Sequence, residues 1–168
     1  MKTDKIYLVG FMAAGKTSVA RALASRLGWQ SEDIDDLIEA REQRTVAEIF
    51  AREGEPYFRV VEREILHLLL PLRQTVIATG GGTFVELANR VTINRDGVSV
   101  WLDVPVELIL DRAPADGSRP LASNPARLRW LYETRRPAYE QAHVRIDAAG
   151  ATVPEIVHGI VDALGKKF

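Results

Sequence analysis

Gly10-Phe11-Met12-Ala13-Ala14-Gly15-Lys16-Thr17 is a complete G-x-x-x-x-G-K-[ST] phosphate-binding pattern, and its flanks decide the fold. The apolar run Ile6-Tyr7-Leu8-Val9 reads as a buried strand feeding the loop, and Val19, Leu23 and Leu27 line one face of a helix leaving it. Lys16 and Thr17 open that helix, so loop N–H groups and the positive helix end form an anion cradle suited to nucleotide phosphates. In such a cradle the lysine reaches the β- and γ-phosphates and the threonine hydroxyl holds Mg²⁺.

Working outward, strand and helix patterns alternate. Trp29-Gln30-Ser31 is a short extended piece, and Thr45-Val46-Ala47-Glu48 is a capping box opening a helix that Gly54 ends. Pro56 to Leu70 carries Phe58, Val61, Ile65, Leu68 and Leu69 at the spacing of one buried helix face. Strands follow at Thr75 to Thr79, Val98 to Leu102 and Val144 to Ile146. Helices are expected near Glu86 to Arg95, after Pro105, from Arg127 to Ala142, and at a closing amphipathic segment built on Val153, Ile156, Val157, Ile160, Val161 and Leu164. The pattern implies an α/β fold: a five-stranded parallel sheet with helices on both faces and ligands beyond the carboxyl ends of the strands.

Three further features fall on that rim. Asp33 and Asp35 are two residues apart, so an extended chain would point them the same way, one serving a metal and the other an acceptor hydroxyl. Phosphoryl transfer needs both, because its loose transition state asks for cations, a metal and an aligned hydroxyl rather than covalent chemistry. Gly80-Gly81-Gly82, straight after a strand, lets the backbone approach a ligand closely. The stretch from Arg112 to Asn124 loses periodicity and gathers turn formers, which marks a functional loop.

Composition narrows the classes. At 168 residues and 46% apolar, the chain fits one folded domain, residues 1–168. A net charge of −1 gives no footprint for nucleic acid or an anionic membrane, so small molecules are the expected partners. Zero cysteines exclude a disulfide framework and thiolate chemistry. With no signal-like start and no membrane-length apolar run, a soluble cytoplasmic protein is expected, and a monomer is the working expectation, which no residue pattern decides. His67, His143 and His158 lack metal spacing, and Trp29, Trp101 and Trp130 are expected to pack the core. Phe50, Phe58 and Glu62 read equally as support for an acceptor pocket and as packing or solvated helix face.

Taken together, the Gly10 to Thr17 loop, Asp33-Ile34-Asp35, Ile49-Phe50 through Gly54-Glu55 to Phe58-Arg59, and Gly80 to Gly82 resemble shikimate kinase. The resemblance runs on through Trp101-Leu102-Asp103, Arg112, Arg119-Pro120-Leu121 and Arg135-Arg136-Pro137-Ala138-Tyr139, nearly the whole chain. It implies a P-loop NTPase fold similar to the nucleoside monophosphate kinases, with ATP- and Mg²⁺-dependent phosphorylation of the 3-hydroxyl of shikimate. By motif matching, Gly10, Met12, Ala13, Ala14, Gly15, Lys16, Thr17 and Ser18 hold the nucleotide, and Thr17 and Asp33 hold the metal, Asp33 through water. Asp35 is the implied base, and Arg59, Arg135, Gly80, Gly81 and Gly82 the implied shikimate contacts. Arg119 matches the phosphate-binding arginine of a mobile lid at about 112–125, and Arg112 the arginine near the adenine. The acceptor segment is placed at about 33–62. Ala13 stands where the family usually has glycine, so a positive φ there would strain the loop.

Two other readings share the loop: a kinase for another small polyol acid, gluconate kinase-like, and a catalytically weak nucleotide-binding regulatory protein. The triple glycine and the Arg-x-Pro-x-Tyr segment favour shikimate over gluconate. Retention of Lys16, Thr17, Asp33, Asp35, Arg59, Arg119 and Arg135 together argues against an idle site.

Overall fold

The computed structural model describes residues 3–112 and 124–167. Its elements in chain order are β1 (Lys5–Val9), α1 (Lys16–Leu27), β2 (Gln30–Asp33), α2 (Ile34–Glu42), α3 (Val46–Glu53), α4 (Glu55–Leu69), β3 (Thr75–Ala78), α5 (Leu87–Asp96), β4 (Val98–Asp103), α6 (Val106–Arg112), α7 (Pro125–Tyr139), β5 (Val144–Asp147) and α8 (Val153–Lys167). The five strands form one parallel sheet in the order β2-β3-β1-β4-β5. α1 packs on β2 and β3 and meets α8, and with this strand order the right-handed crossover rule puts the α2–α4 block, α5 and α7 on the opposite face.

Burial follows strand position. Every residue of β1, β3 and β4 is buried, as befits central parallel strands covered on both faces, whereas the edge strands β2 and β5 alternate or face solvent. Lys5 is a charged residue buried within β1, and its bonds explain it. The ammonium donates to the Leu69 and Leu70 carbonyls at 3.1 and 2.7 Å, taking up acceptors left over at the end of α4, and to Asp96 at 2.6 Å. Asp96 also accepts the Tyr7 hydroxyl, and burial together with that bond pushes the phenol far above its usual range.

The sequence expectations hold for the order of elements and for the capping box, in which Thr45 and Glu48 bond each other's backbone N–H. Three fail. Asp33 ends β2 and caps α2, so Asp35 sits in a helical first turn rather than two residues along an extended strand. Leu68 is 66% exposed, because α4 turns Phe58, Val61, Glu62, Ile65, Leu66 and Leu69 inward instead. Trp130 is 62% exposed on α7, while Trp101 is buried.

Candidate active site

The β1–α1 loop is shaped by backbone that few side chains tolerate. Gly10 has φ 142°, and a Cβ there would lie 2.9 Å from the Leu102 carbonyl and 3.3 Å from the Trp101 ring, so only glycine fits. Gly15 caps α1 at φ 90°. Ala13 adopts φ 57°, so the left-handed conformation that glycine would take freely is imposed on an alanine at a cost of about 1 kcal/mol. Lys16 is nearly buried and reaches back along the loop, its ammonium donating to the Gly10 and Phe11 carbonyls at 2.7 Å each. The Thr17 hydroxyl donates to Asp33 Oδ2 at 2.5 Å, and the other Asp33 oxygen accepts the Asp36 N–H. A hydroxyl and a carboxylate in contact beside a phosphate cradle form an oxygen donor set of the hard type that Mg²⁺ takes, with phosphate and water completing the shell. Among the described residues no group of three or more His, Asp or Glu side chains is placed to hold a metal by itself.

The glycine run lies opposite this loop, and each glycine makes room for a different side chain. A Cβ on Gly80 would come within 2.9 Å of Asp35 Oδ1 and 3.1 Å of both Glu62 Oε2 and Thr83 Oγ1. One on Gly81 would be 3.1 Å from Arg135 Nη1 and 3.4 Å from the Met12 N–H nitrogen, and one on Gly82 would overlap the Arg59 guanidinium. None of the three has positive φ, so space rather than backbone conformation demands glycine. The run thereby gathers Asp35 from α2, Arg59 from α4 and Arg135 from α7 beside the phosphate loop.

Charge is arranged around Arg59. Its Nη1 donates to Glu62 Oε1 at 2.9 Å, its Nε and Nη2 reach Glu55 Oε1 at 3.3 and 3.2 Å, and it lies over the Phe58 ring. Burial works against the charge, but the two glutamates more than offset it, and the guanidinium is held above its ordinary pKa. Glu62 is fully buried, and its second oxygen accepts the Thr83 hydroxyl at 2.8 Å. Arg135 lies over the Phe11 ring, and Tyr139, one turn further along α7, donates to the Gly81 carbonyl at 2.5 Å.

Of the residues read from the sequence, Lys16, Thr17, Asp33, Asp35, Arg59, Arg135 and the three glycines converge on this rim. Ser18 is exposed in the first turn of α1, and Arg112 is exposed at the end of α6. Arg119 lies outside the described residues, as does most of the expected lid. Glu62, left open by the sequence, proves to be the partner of Arg59, and an acid set within the apolar stripe of α4 was the signal for it. Tyr139 was marked in the sequence only as the end of the Arg-x-Pro-x-Tyr segment, and Thr83 carried no signal. His67 and His158 are exposed, and His143 bonds Ser99.

A family model described as shikimate kinase matches residues 12–165. A shikimate kinase of Symbiobacterium thermophilum is 45% identical over 168 residues, covering 96% of this chain and 97% of that relative. One of Persephonella marina is 38% identical over 157 residues, covering 93% and 96%. Among solved structures, a shikimate kinase from Acinetobacter baumannii in complex with shikimate superposes with a TM-score of 0.94 at 37% identity, covering 98% of this chain and 94% of that one.

Proposed function

The chain belongs to the shikimate kinase family, and from that premise we propose how its residues divide the transfer of a phosphoryl group from ATP to the 3-hydroxyl of shikimate. The activity is that of an ATP-dependent phosphotransferase with an alcohol acceptor, in the shikimate pathway. On the donor side, the N–H groups from Gly10 and Met12 to Ser18 cradle the phosphates, and Lys16 leaves the Gly10 and Phe11 carbonyls for the β- and γ-phosphates. Thr17 and Asp33 would hold Mg²⁺, and the ion, when bound, would neutralise charge developing on the transferred group.

On the acceptor side, Asp35 takes the proton of the 3-hydroxyl, while Arg59 and Arg135 clamp the carboxylate of shikimate against the backbone of Gly80 to Gly82. Glu62 keeps Arg59 aimed. Arg112 is assigned to the adenine of ATP, and Arg119, which lies outside the described residues, to its phosphates. Residues 33–62 form the acceptor segment of a single kinase domain. The enzyme works as a cytoplasmic monomer on small molecules, not on nucleic acid or membrane; no helix among the described residues is long and apolar enough to cross a bilayer.

The observation that carries the assignment is the three-glycine run, each member of which is hemmed by one of Asp35, Arg135 and Arg59 within reach of the phosphate loop. A coupled ADP-release assay with shikimate, with gluconate and without acceptor tests it. Turnover is expected with shikimate alone; ADP release with shikimate no faster than the acceptor-free background would overturn the reading.

A further inference from the structure

Asp103, the last residue of β4, is 8% exposed at the ligand-bearing end of the sheet, yet the transfer just described makes no use of it. A carboxylate this buried has to be compensated, and its partners come from two different elements. From β5, Arg145 places Nε and Nη2 at 2.9 and 2.6 Å from Oδ2. From α7, Arg136 Nη1 stands 3.7 Å from Oδ1 and donates at 3.2 Å to the Tyr132 hydroxyl, which itself donates to the Val104 carbonyl at 3.1 Å. Both guanidiniums also lie over the Trp101 ring, at 5.2 Å for Arg136 and 5.1 Å for Arg145.

Tyr132 and Arg136 are one turn apart on α7, so fixing both to the end of β4 fixes the roll of that helix about its axis. Arg135 is the residue next to Arg136, held over Phe11 and beside Gly81. Side chains reach about 6 Å from a helix axis, so a 10° roll displaces such a group by about 1 Å, enough to matter to a two-point carboxylate clamp.

We infer that Asp103 is a positioning residue for substrate: through Arg136 and Tyr132 it sets the roll of α7 that aims Arg135 at the carboxylate. The inference rests on the assignment of Arg135 to the shikimate carboxylate. Arg145 is the internal control, since it neutralises Asp103 from β5 without touching the orientation of α7.

The test is a set of shikimate titrations without nucleotide, with KM for both substrates and a thermal melt for each variant. Asp103→Asn and Arg136→Met should each weaken shikimate about fivefold to tenfold, with KM for ATP within about twofold of wild type, and Arg136→Lys should recover part of the loss. Arg145→Met should change shikimate affinity less than about twofold. A role confined to stability would lower the melting temperature without moving that affinity. The deciding readout is a double-mutant cycle: the penalty of Arg135→Ala should shrink in the Asp103→Asn background. Additive penalties, or unchanged shikimate affinity in Arg136→Met, overturn the inference. Should Asp103→Asn not fold, Arg136→Met, at a partly exposed position, decides alone. Unchanged affinity in Arg135→Ala itself would overturn the assignment of that arginine, and the inference would fall with it.

Discussion

Gly82→Ala is the most direct probe of the acceptor site, because the structure says what one methyl group would meet. A Cβ at Gly82 would lie 2.5 Å from Arg59 Nη1 and 2.6 Å from its Cζ, against the roughly 3.5 Å at which such atoms settle. The backbone accepts alanine, since φ there is not positive, so the guanidinium has to retreat by about 1 Å. The bond to Glu62 at 2.9 Å would then stretch past the limit of a hydrogen bond, and the guanidinium would leave its place over Phe58. A guanidinium displaced by that much would also lose its proposed charge-assisted hydrogen bond to the substrate carboxylate, which contributes about 1.5–3 kcal/mol, and 1.4 kcal/mol is a factor of ten, so shikimate affinity should fall about tenfold to a hundredfold. Titration of shikimate without nucleotide measures this, with ATP affinity as the internal reference. Wild-type shikimate affinity in a folded Gly82→Ala protein would refute the reasoning, and a penalty that persists undiminished in an Arg59→Ala background would show that Arg59 is not the side chain displaced.

Asp35→Asn should lower turnover about a hundredfold to ten-thousandfold while leaving ATP affinity intact, and near-wild-type turnover in a coupled assay would remove the base from Asp35. Ala13→Gly relieves the left-handed alanine and should raise stability by about 1 kcal/mol, or about 2–4 °C in melting temperature; a fall would contradict the strain. Lys5→Met strips the ammonium from the Leu69 and Leu70 carbonyls and leaves Asp96 without its buried cation, so urea unfolding should show a loss of about 3–5 kcal/mol, and a loss below about 1 kcal/mol would mean that the cluster relaxes freely.

What could be read from the sequence follows from where the information sits. The loop and its flanks were legible because motif and hydrophobic pattern coincide, and the central strands because burial on both faces makes them continuously apolar. β2 carries Gln30, Ser31, Glu32 and Asp33, and such an edge strand leaves almost no apolar trace. The same edge hides the geometry of the two acids: a helix capped by Asp33, not a strand continuing through it, sets where each one points. Leu68 faces out because α4 has more apolar positions than its inward stripe can take. That three glycines serve three separate side chains could not be seen at all, since Asp35, Arg59 and Arg135 meet them only in the folded chain.

The grip of the loop carbonyls on Lys16 bears on selectivity. With its ammonium already gripped by the carbonyls of Gly10 and Phe11, the cradle is self-satisfied, and the arrival of an anion is an exchange rather than a simple addition. An incoming ligand must outbid two charge-assisted bonds, each contributing about 1.5–3 kcal/mol, before it gains anything from the lysine. A triphosphate carries charge enough to win that exchange. Inorganic phosphate, far more weakly charged, should inhibit poorly even at millimolar concentration, and inhibition titrations showing tight competition by phosphate would contradict this. The loop thus sorts anions by charge before shape enters.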